Sequence, residues 1–379
     1  MIKKDLMVWA EVNLDYLRSN LRVVRSMLRK GRSVDILAVV KADAYGHGMK
    51  KVVAALRTQG VRFFGVATID EALELRRSCP REKILVLGSF HENQVSFFVQ
   101  KNIIPTLSSF EDAALFENYL KSKKIKTAAF PVHVKIDTGM GRLGVWHEEA
   151  EIFLRQLKNC KKIAMDGLYT HFSRADHDDK IFMQKQLDLF EQTIRIARSL
   201  GFSPKYFHAA NSMGLVRLKS SHLNLVRPGI ILYGVNPRLA QRPPKGLRPI
   251  LSLKTRISFL KYVKKGRAIS YGGTYETPES MLIATLPVGY SHGYRVGYSN
   301  KAHVVVRGRK CPVVGRVTMD QTLVNVDGVP DVKRWDEVTL IGSQGRLGVS
   351  LEDLALLINS IPYEVACSIH SRIPRVYKG

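Results

Sequence analysis

Lys41 ends an apolar run. In ILAVVKADAYGHG (36–48) five apolar residues lead straight into its side chain, and two glycines follow. A lysine held in partly apolar surroundings can lose its proton and attack an aldehyde carbon. Other strand-like runs end in reactive groups too: Lys135 and Asp137 with Arg142 in KIDTGMGRLG, His171 in LYTHFSRAD, Asn211 and Ser212 in HAANS, and Arg227, Gly229 and Ile230 in VRPGI. The glycine-containing turns let backbone N–H groups approach anionic oxygens closely. Together these residue types point to an amine nucleophile working beside a bound phosphate.

The elements that must position them alternate. A helix is expected over LDYLRSNLRVVRSMLR, where Leu14, Leu17, Leu21, Val24 and Leu28 recur at helical spacing. Strand candidates follow at DILAVV (35–40), RFFGVA (62–67), ILVLG (84–88), IIPTL (103–107), FPVHVKI (130–136), IAMDGLYT (163–170), KYFHAA (205–210) and LNLVR (223–227). Helical stretches separate them. Two of these carry expected capping boxes, Thr68 with Glu71 and Ser108 with Glu111, and a long one at 178–200 aligns Ile181, Leu187, Phe190, Ile194 and Ala197. This alternation predicts a (β/α)8 barrel over residues 1–240. The competing architecture is an open doubly wound sheet, but no G-x-G-x-x-G opens a helix after the first strand. In a barrel the active site lies at the C-terminal ends of the strands, which puts all the residues named above on one rim.

After NPRLAQRPPKGLRP (236–249), a Pro/Arg-rich linker, the pattern becomes β: ILSLKTRISFLKYV, MLIATLPVGY, HVVVR, CPVVGRV, QTLVNV and EVTLIG, broken by one short helix, LEDLALLINS (351–360). An all-β domain over 241–379 is expected.

The composition, 45% hydrophobic and 24% charged over 379 residues, is that of a globular chain of two domains. The four cysteines lie far apart, with no metal-ligand spacing. The net charge of +26 attracts anions, yet the basic residues form no tail or stripe, so nucleic acid is not expected as a partner. No apolar run approaches a membrane helix, and Asp5 and Glu11 interrupt the start before it could serve as a secretory leader, so a cytoplasmic protein is expected.

Phosphate, aldehyde and lysine together point to pyridoxal phosphate as cofactor. The segments AVVKADAYGHG, KIDTGMGRLG, YTHFSRAD, NS, VRPGI, SYGGTY, LPVGY, GRVTMDQ and IPYEV, in that order, resemble those of the alanine racemases, a family of fold-type III pyridoxal-phosphate enzymes. The resemblance runs over nearly the whole chain. It implies a barrel followed by a β-domain, a head-to-tail homodimer, and racemisation of alanine to supply D-alanine for bacterial peptidoglycan. It implies that Lys41 holds the cofactor and acts as base on one face of the substrate Cα, while Tyr271 from the partner subunit acts on the other. A phenol ionises only near pH ~10 in water, so that role needs positive neighbours, which His171 linked to Arg227 would supply. By the same resemblance Arg227 pairs with the pyridine nitrogen. Tyr45, Ser212, Gly229, Ile230 and Tyr363 hold the phosphate, with Asn211 beside them. Arg142 and the Met319 backbone hold the substrate carboxylate, Tyr290 narrows the access path, and Lys135 is a carbamylation site that orients Arg142.

Two positions depart from the family pattern. Thr318 stands where a cysteine is usual, and His292 in LPVGYSHGY stands where an aspartate is usual. Competing readings are a racemase of broader specificity for small amino acids, a barrel-type pyridoxal decarboxylase, which would want a glutamate in place of Arg227, and a non-catalytic pyridoxal-phosphate carrier, which would lack the β-domain.

Overall fold

The computed structural model describes residues 5–31, 33–124, 129–238 and 243–379; residues 1–4 and the 239–242 part of the expected linker lie outside them. The chain forms two compact units. One comprises Leu21–Ala44 and Val52–Leu232; the other comprises Met1–Asn20, Tyr45–Lys51 and Tyr233–Gly379. The first strand, β1 (Val8–Asn13), pairs with strands near the C-terminus, so the expectation of a barrel beginning at residue 1 is corrected there. Its Glu11, which looked like an interruption of an apolar stretch, is buried and receives hydrogen bonds from Lys378 at 2.6 Å and the Trp9 indole at 3.1 Å.

The Leu21–Ala44 and Val52–Leu232 unit is the barrel. Its strands are β2 (Asp35–Val39), β3 (Phe63–Val66), β4 (Lys83–Val86), β5 (Thr106–Leu107) and β6 (Phe130–Asp137), the side strand β7 (Val145–Trp146) on β6, then β8 (Ile163–Tyr169), β9 (Tyr206–His208) and β10 (Leu225–Val226). All barrel pairings are parallel, in the orders β10-β2-β3-β4 and β5-β6-β8-β9. Two seams close the ring. Val86 N donates to Ile104 O at 3.0 Å between β4 and β5, and Arg227 N donates to Ala210 O at 2.9 Å between the ends of β9 and β10. The strands are apolar almost throughout (Leu37, Phe64, Ile84, Val132, Val134 and Leu168 are fully buried), as expected of a parallel sheet covered on both faces.

The helix Ile181–Ser199 covers the barrel with Met183, Leu187, Phe190, Ile194 and Ala197; Ile181, expected on that face, is exposed instead. Thr68 caps the helix Ile69–Ser78 as expected, accepting from Glu71 N at 3.3 Å. The second cap lies one residue later than expected. Ser109 holds the extended backbone before Phe110–Ser122, its Oγ accepts from Asp112 N at 3.2 Å, and Asp112 Oδ2 accepts from Ser108 N at 2.8 Å.

The other unit is mostly β. Its strands after β1 are β11 (Leu251–Arg256), β12 (Phe259–Val263), β13 (Ala268–Ile269), β14 (Tyr275–Glu276), β15 (Met281–Leu286), β16 (His303–Val306), β17 (Arg309–Pro312), β18 (Thr322–Asn325), β19 (Glu337–Gln344), β20 (Leu347–Val349) and β21 (Arg375–Lys378). One sheet runs β17-β16-β19-β11-β1-β21 with β20 on β19, a second runs β12-β15-β18, and β13-β14 is a hairpin. The run ILSLKTRISFLKYV thus divides between two sheets. Two helices, not one, occupy the end of the chain. Leu351–Leu357 starts at a Ser350–Asp353 capping box, and Pro362–Ser368 starts on a proline whose missing N–H costs nothing in the first turn.

Candidate active site

Lys41 follows β2 directly. Val40 N donates to Gly65 O on the neighbouring strand at 2.8 Å, and Lys41 then opens a turn in which Ala42, Asp43, Ala44 and Tyr45 all have φ between 52° and 55°. Consecutive left-handed L-residues each cost about 1–2 kcal/mol, so the turn persists only because its surroundings hold it. Glu71 is part of that hold. Its two carboxylate oxygens accept from Ala42 N and Ala67 N, both at 2.7 Å, clamping the chain just after β2 to the chain just after β3.

Facing this turn is a cluster of positive charge. Burial, then the charges of Arg142, Arg227 and Lys41, push the Lys135 ammonium down to about 8, against the pull of Asp137. The same set pushes the His171 imidazole well below its usual range, burial first and then Arg227, Lys135, Arg142 and Lys41. Asp137 sits among them ionised. Burial alone would raise its carboxyl, but N–H donors of Gly139, Gly141, Met140 and Arg142 hold it below the usual range. Two of those bonds, from Met140 at 2.7 Å and Arg142 at 3.0 Å, fold the KIDTGMGR loop around the carboxylate.

Arg227 is 3% exposed, and burial pushes its guanidinium down to about 10, which leaves it charged at neutral pH. Its side-chain partners are Thr170 O at 2.7 Å, Ala209 O at 3.0 Å, His208 Nδ1 at 2.8 Å and His171 Nδ1 at 3.3 Å. No carboxylate among the described residues pairs with it. The planar head also lies 5.2 Å from the centre of the Tyr169 ring, which stacks on His208 at 4.5 Å. A buried guanidinium without a counter-ion is a site prepared for an acceptor that the protein itself does not supply.

Beside it, the turns after β9 and β10 meet. Asn211 caps the helical turn Ser212–Arg217, accepting from Gly214 N at 2.9 Å, and Ile230 opens the turn Ile230–Tyr233. Gly229 N donates to Ser212 Oγ at 3.0 Å, which brings the two helical starts together. Converging N–H groups of this kind suit a phosphate. Lys41, Lys135, Arg142, His171, Asn211, Ser212, Arg227, Gly229 and Ile230 are therefore gathered by the barrel unit. An amine, a buried donor without a counter-ion and a phosphate cradle fit pyridoxal phosphate.

The remaining expected residues belong to the β-rich unit. The Tyr45 and Tyr363 rings lie 6.1 Å apart, and the Tyr45 ring is 5.2 Å from that of Tyr233. Tyr290 N donates to Thr318 O and Ser291 N to Met319 O, each at 3.0 Å. Gly289 makes this contact possible, since a Cβ there would lie 2.1 Å from Thr318 O. Thr318 also explains its own presence. Its hydroxyl donates to Gln321 O at 2.9 Å and accepts from Gln321 N at 3.1 Å, closing the turn that presents Met319, and a thiol makes both bonds more weakly. His292 does not leave the region without an acid: Asp320 accepts from Ser291 Oγ at 2.7 Å and lies 3.5 Å from Arg372. Tyr271 sits at the tip of the β13–β14 hairpin, 72% exposed. Ser270 (φ 64°) fixes the tip by donating from Oγ to Arg316 O at 2.6 Å, over a small core of Ile269, Met281, Ile283 and Val314.

The sequence reading missed Glu71 as a clamp and His208 as a partner of Arg227. His208 lies inside the quoted HAANS segment, and a histidine on a barrel strand aimed toward an arginine on the next one was the available signal.

The chain matches the profile of the alanine racemase N-terminal domain over residues 12–237 and that of the C-terminal domain over residues 250–377. It is 41% identical to an alanine racemase of Carboxydothermus hydrogenoformans over 371 residues, 98% of this chain and 99% of that one. It is 42% identical to an alanine racemase of Halothermothrix orenii over 371 residues, 98% and 97% of the two chains. Among solved structures it is similar to an alanine racemase of Bacillus anthracis with bound L-Ala-P (TM-score 0.90, 33% identity, 98% of this chain and 95% of that one). It is also similar to one of Bartonella henselae with covalently bound pyridoxal phosphate (TM-score 0.88, 28% identity, 98% and 100% covered).

Proposed function

The chain belongs to the alanine racemase family and interconverts L-alanine and D-alanine with pyridoxal phosphate; on that premise we propose that Lys41 and Tyr271 are the two groups that carry the α-proton. Bound, the cofactor makes the α C–H of an attached amino acid acidic by delocalising the electron pair left behind. Lys41 would hold its aldehyde carbon, Arg227 its ring nitrogen, and Tyr45, Ser212, Gly229, Ile230 and Tyr363 its phosphate, with Asn211 and His171 adjoining.

Racemisation needs a proton to leave one face of the carbon and another to arrive on the opposite face, so one group must stand on each side. The Lys41 amine serves one face and the Tyr271 phenol the other. Arg227 carries donors only and stays protonated, so it cannot hand a proton to the ring nitrogen; this limits how far negative charge spreads into the ring. Arg142 and the Met319 N–H hold the carboxylate of alanine, and Tyr290 restricts the side chain beyond a methyl group. Lys135, with its amine drawn toward neutrality among cations, adds through its nitrogen to the carbon of carbon dioxide and releases a proton to solvent, and the resulting carbamate anion orients Arg142.

Tyr271 comes from a second copy of the chain in a head-to-tail homodimer. Its 72% exposure supports this, as do Phe259 and Tyr262 on the same unit, 56% and 66% exposed on β12. The D-alanine made feeds bacterial peptidoglycan.

The observation that carries this reading is the convergence of Lys41, the buried Arg227, which pairs with no carboxylate among the described residues, and the Ser212–Gly229 cradle on one barrel rim. Incubation with L-alanine in heavy water, followed by chiral separation, tests it. D-alanine bearing deuterium at Cα is expected; absence of D-alanine, or D-alanine without deuterium, contradicts it.

A further inference from the structure

Arg227 begins a chain of contacts that crosses the barrel interior and ends far from the rim. Its Nη1 lies 2.8 Å from His208 Nδ1, His208 Nε2 lies 2.9 Å from His133 Nδ1, and His133 Nε2 faces Asp166 Oδ2 at 3.9 Å. Asp166 is held in turn by Lys83 at 3.0 Å. Both histidines are fully buried, whereas Asp166 and Lys83 are partly open to solvent.

The proton positions along this chain are constrained at both ends: at one the Arg227 guanidinium has donors only, at the other the Asp166 carboxylate has acceptors only. His208 Nδ1 must therefore accept, so its proton is on Nε2. His208 Nε2–H then donates to His133 Nδ1, and the proton of His133 is forced onto its own Nε2. That nitrogen has no hydrogen-bond partner among the described residues, and the carboxylate of Asp166 is the anion it faces. A second proton on either ring would set two donors against each other. Burial keeps both rings neutral, which agrees with this assignment.

We propose that Asp166, His133 and His208 are positioning residues for the reaction: the carboxylate favours the Nε2–H form of His133, which favours the Nε2–H form of His208, which keeps an acceptor opposite Arg227 and fixes its guanidinium. The inference rests on the assignment of Arg227 to the cofactor's ring nitrogen only for its effect on activity. The tautomers follow from the guanidinium at one end of the chain and the carboxylate at the other, whatever Arg227 binds.

The test uses the cofactor-bound protein labelled with 15N at histidine, whose ring 1H–15N correlations distinguish Nε2–H from Nδ1–H. The wild type is expected to show both His133 and His208 as neutral Nε2–H rings. In Asp166→Asn the side-chain amide can donate to His133 Nε2, so both rings are expected to lose the uniform Nε2–H form. The cofactor absorption band should shift and kcat/KM should fall roughly tenfold, the low end for loss of a partner that orients a histidine. Asp166→Glu should restore all three. Lys83→Met breaks the same ion pair but keeps the carboxylate, so it should lower stability without changing the tautomers. A wild-type His208 protonated at Nδ1 overturns the proposal. So does an Asp166→Asn protein whose tautomers match the wild type, or a Lys83→Met protein whose tautomers change as much as those of Asp166→Asn. Changed tautomers with unchanged kcat/KM would leave the proton chain standing and overturn its positioning role in the reaction.

Discussion

Arg227 Nη2 lies 3.3 Å from His171 Nδ1, and since the guanidinium can only donate, the imidazole accepts and is neutral. His171 shares with His133 and His208 a pKa that is lowered in the folded protein, burial being the first cause in each, and His222 and His292 are lowered in the same way. The unfolded chain binds protons at these rings near pH ~6.5, while the folded chain does not. Stability is therefore full above that pH and falls as the pH drops below it, by up to about 1.4 kcal/mol per pH unit for each ring. The urea midpoint is expected to fall steeply between pH 7 and pH 5, and His171→Gln should make that slope shallower by one proton. An unchanged slope would place the charged form of His171 in the native state.

Lys135 gives the opposite end of the pH scale. Its folded pKa of about 8 lies below its ordinary value of 10.5, so its burial penalty is present in full below pH 8 and is relieved as the pH rises toward 10.5. The neutral amine is the form that takes up carbon dioxide. Addition of 13C-labelled bicarbonate at pH 8 is expected to yield a carbamate carbon signal that is missing in Lys135→Ala. That variant should raise KM for alanine by about tenfold, as loss of a charge-assisted contact to Arg142 would, with a smaller effect on kcat. A normal KM in Lys135→Ala contradicts the orienting role.

Gly315 tests the hairpin that presents Tyr271. Its φ is 73°, and a Cβ there would lie 2.7 Å from Ile269 O and 2.9 Å from Ser270 Cβ. Gly315→Ala must move the Ser270 turn and with it the phenol. Because proton transfer is sensitive to small displacements, kcat is expected to fall by about 100-fold with little change in cofactor binding. Cofactor loss without a kcat effect on the loaded enzyme would show that the hairpin does not position a catalytic group.

The parts of the site that could be read from sequence were those tied to strand ends. Lys41, Asp137, His171, Ser212 and Arg227 follow apolar runs, and a parallel barrel necessarily brings such positions to one rim. What escaped depended on which side chains share a layer inside the barrel. His133 and His208 come from strands β6 and β9, which are far apart in sequence and have β8 between them, and only the folding of these strands into one sheet sets the two rings 2.9 Å apart. β1 escaped for another reason: Glu11 is buried as an ion pair with Lys378, a residue at the far end of the chain. The cap falls at Ser109 and not at Ser108, a choice between two adjacent serines that residue type does not reveal. The left-handed turn after Lys41 has no compositional mark, because alanine, aspartate and tyrosine adopt it there without any glycine until Gly46.

Hydrogen exchange at Cα, followed separately for each enantiomer of alanine in heavy water with the Tyr271→Phe protein, tests the division of labour between Lys41 and Tyr271 most directly. With one face served by Lys41 alone, one enantiomer should take up deuterium with retained configuration, the other should not exchange, and interconversion should fall by about 10²–10⁴-fold. Interconversion near the wild-type rate, or equal exchange of both enantiomers, would contradict a two-sided mechanism built on these residues.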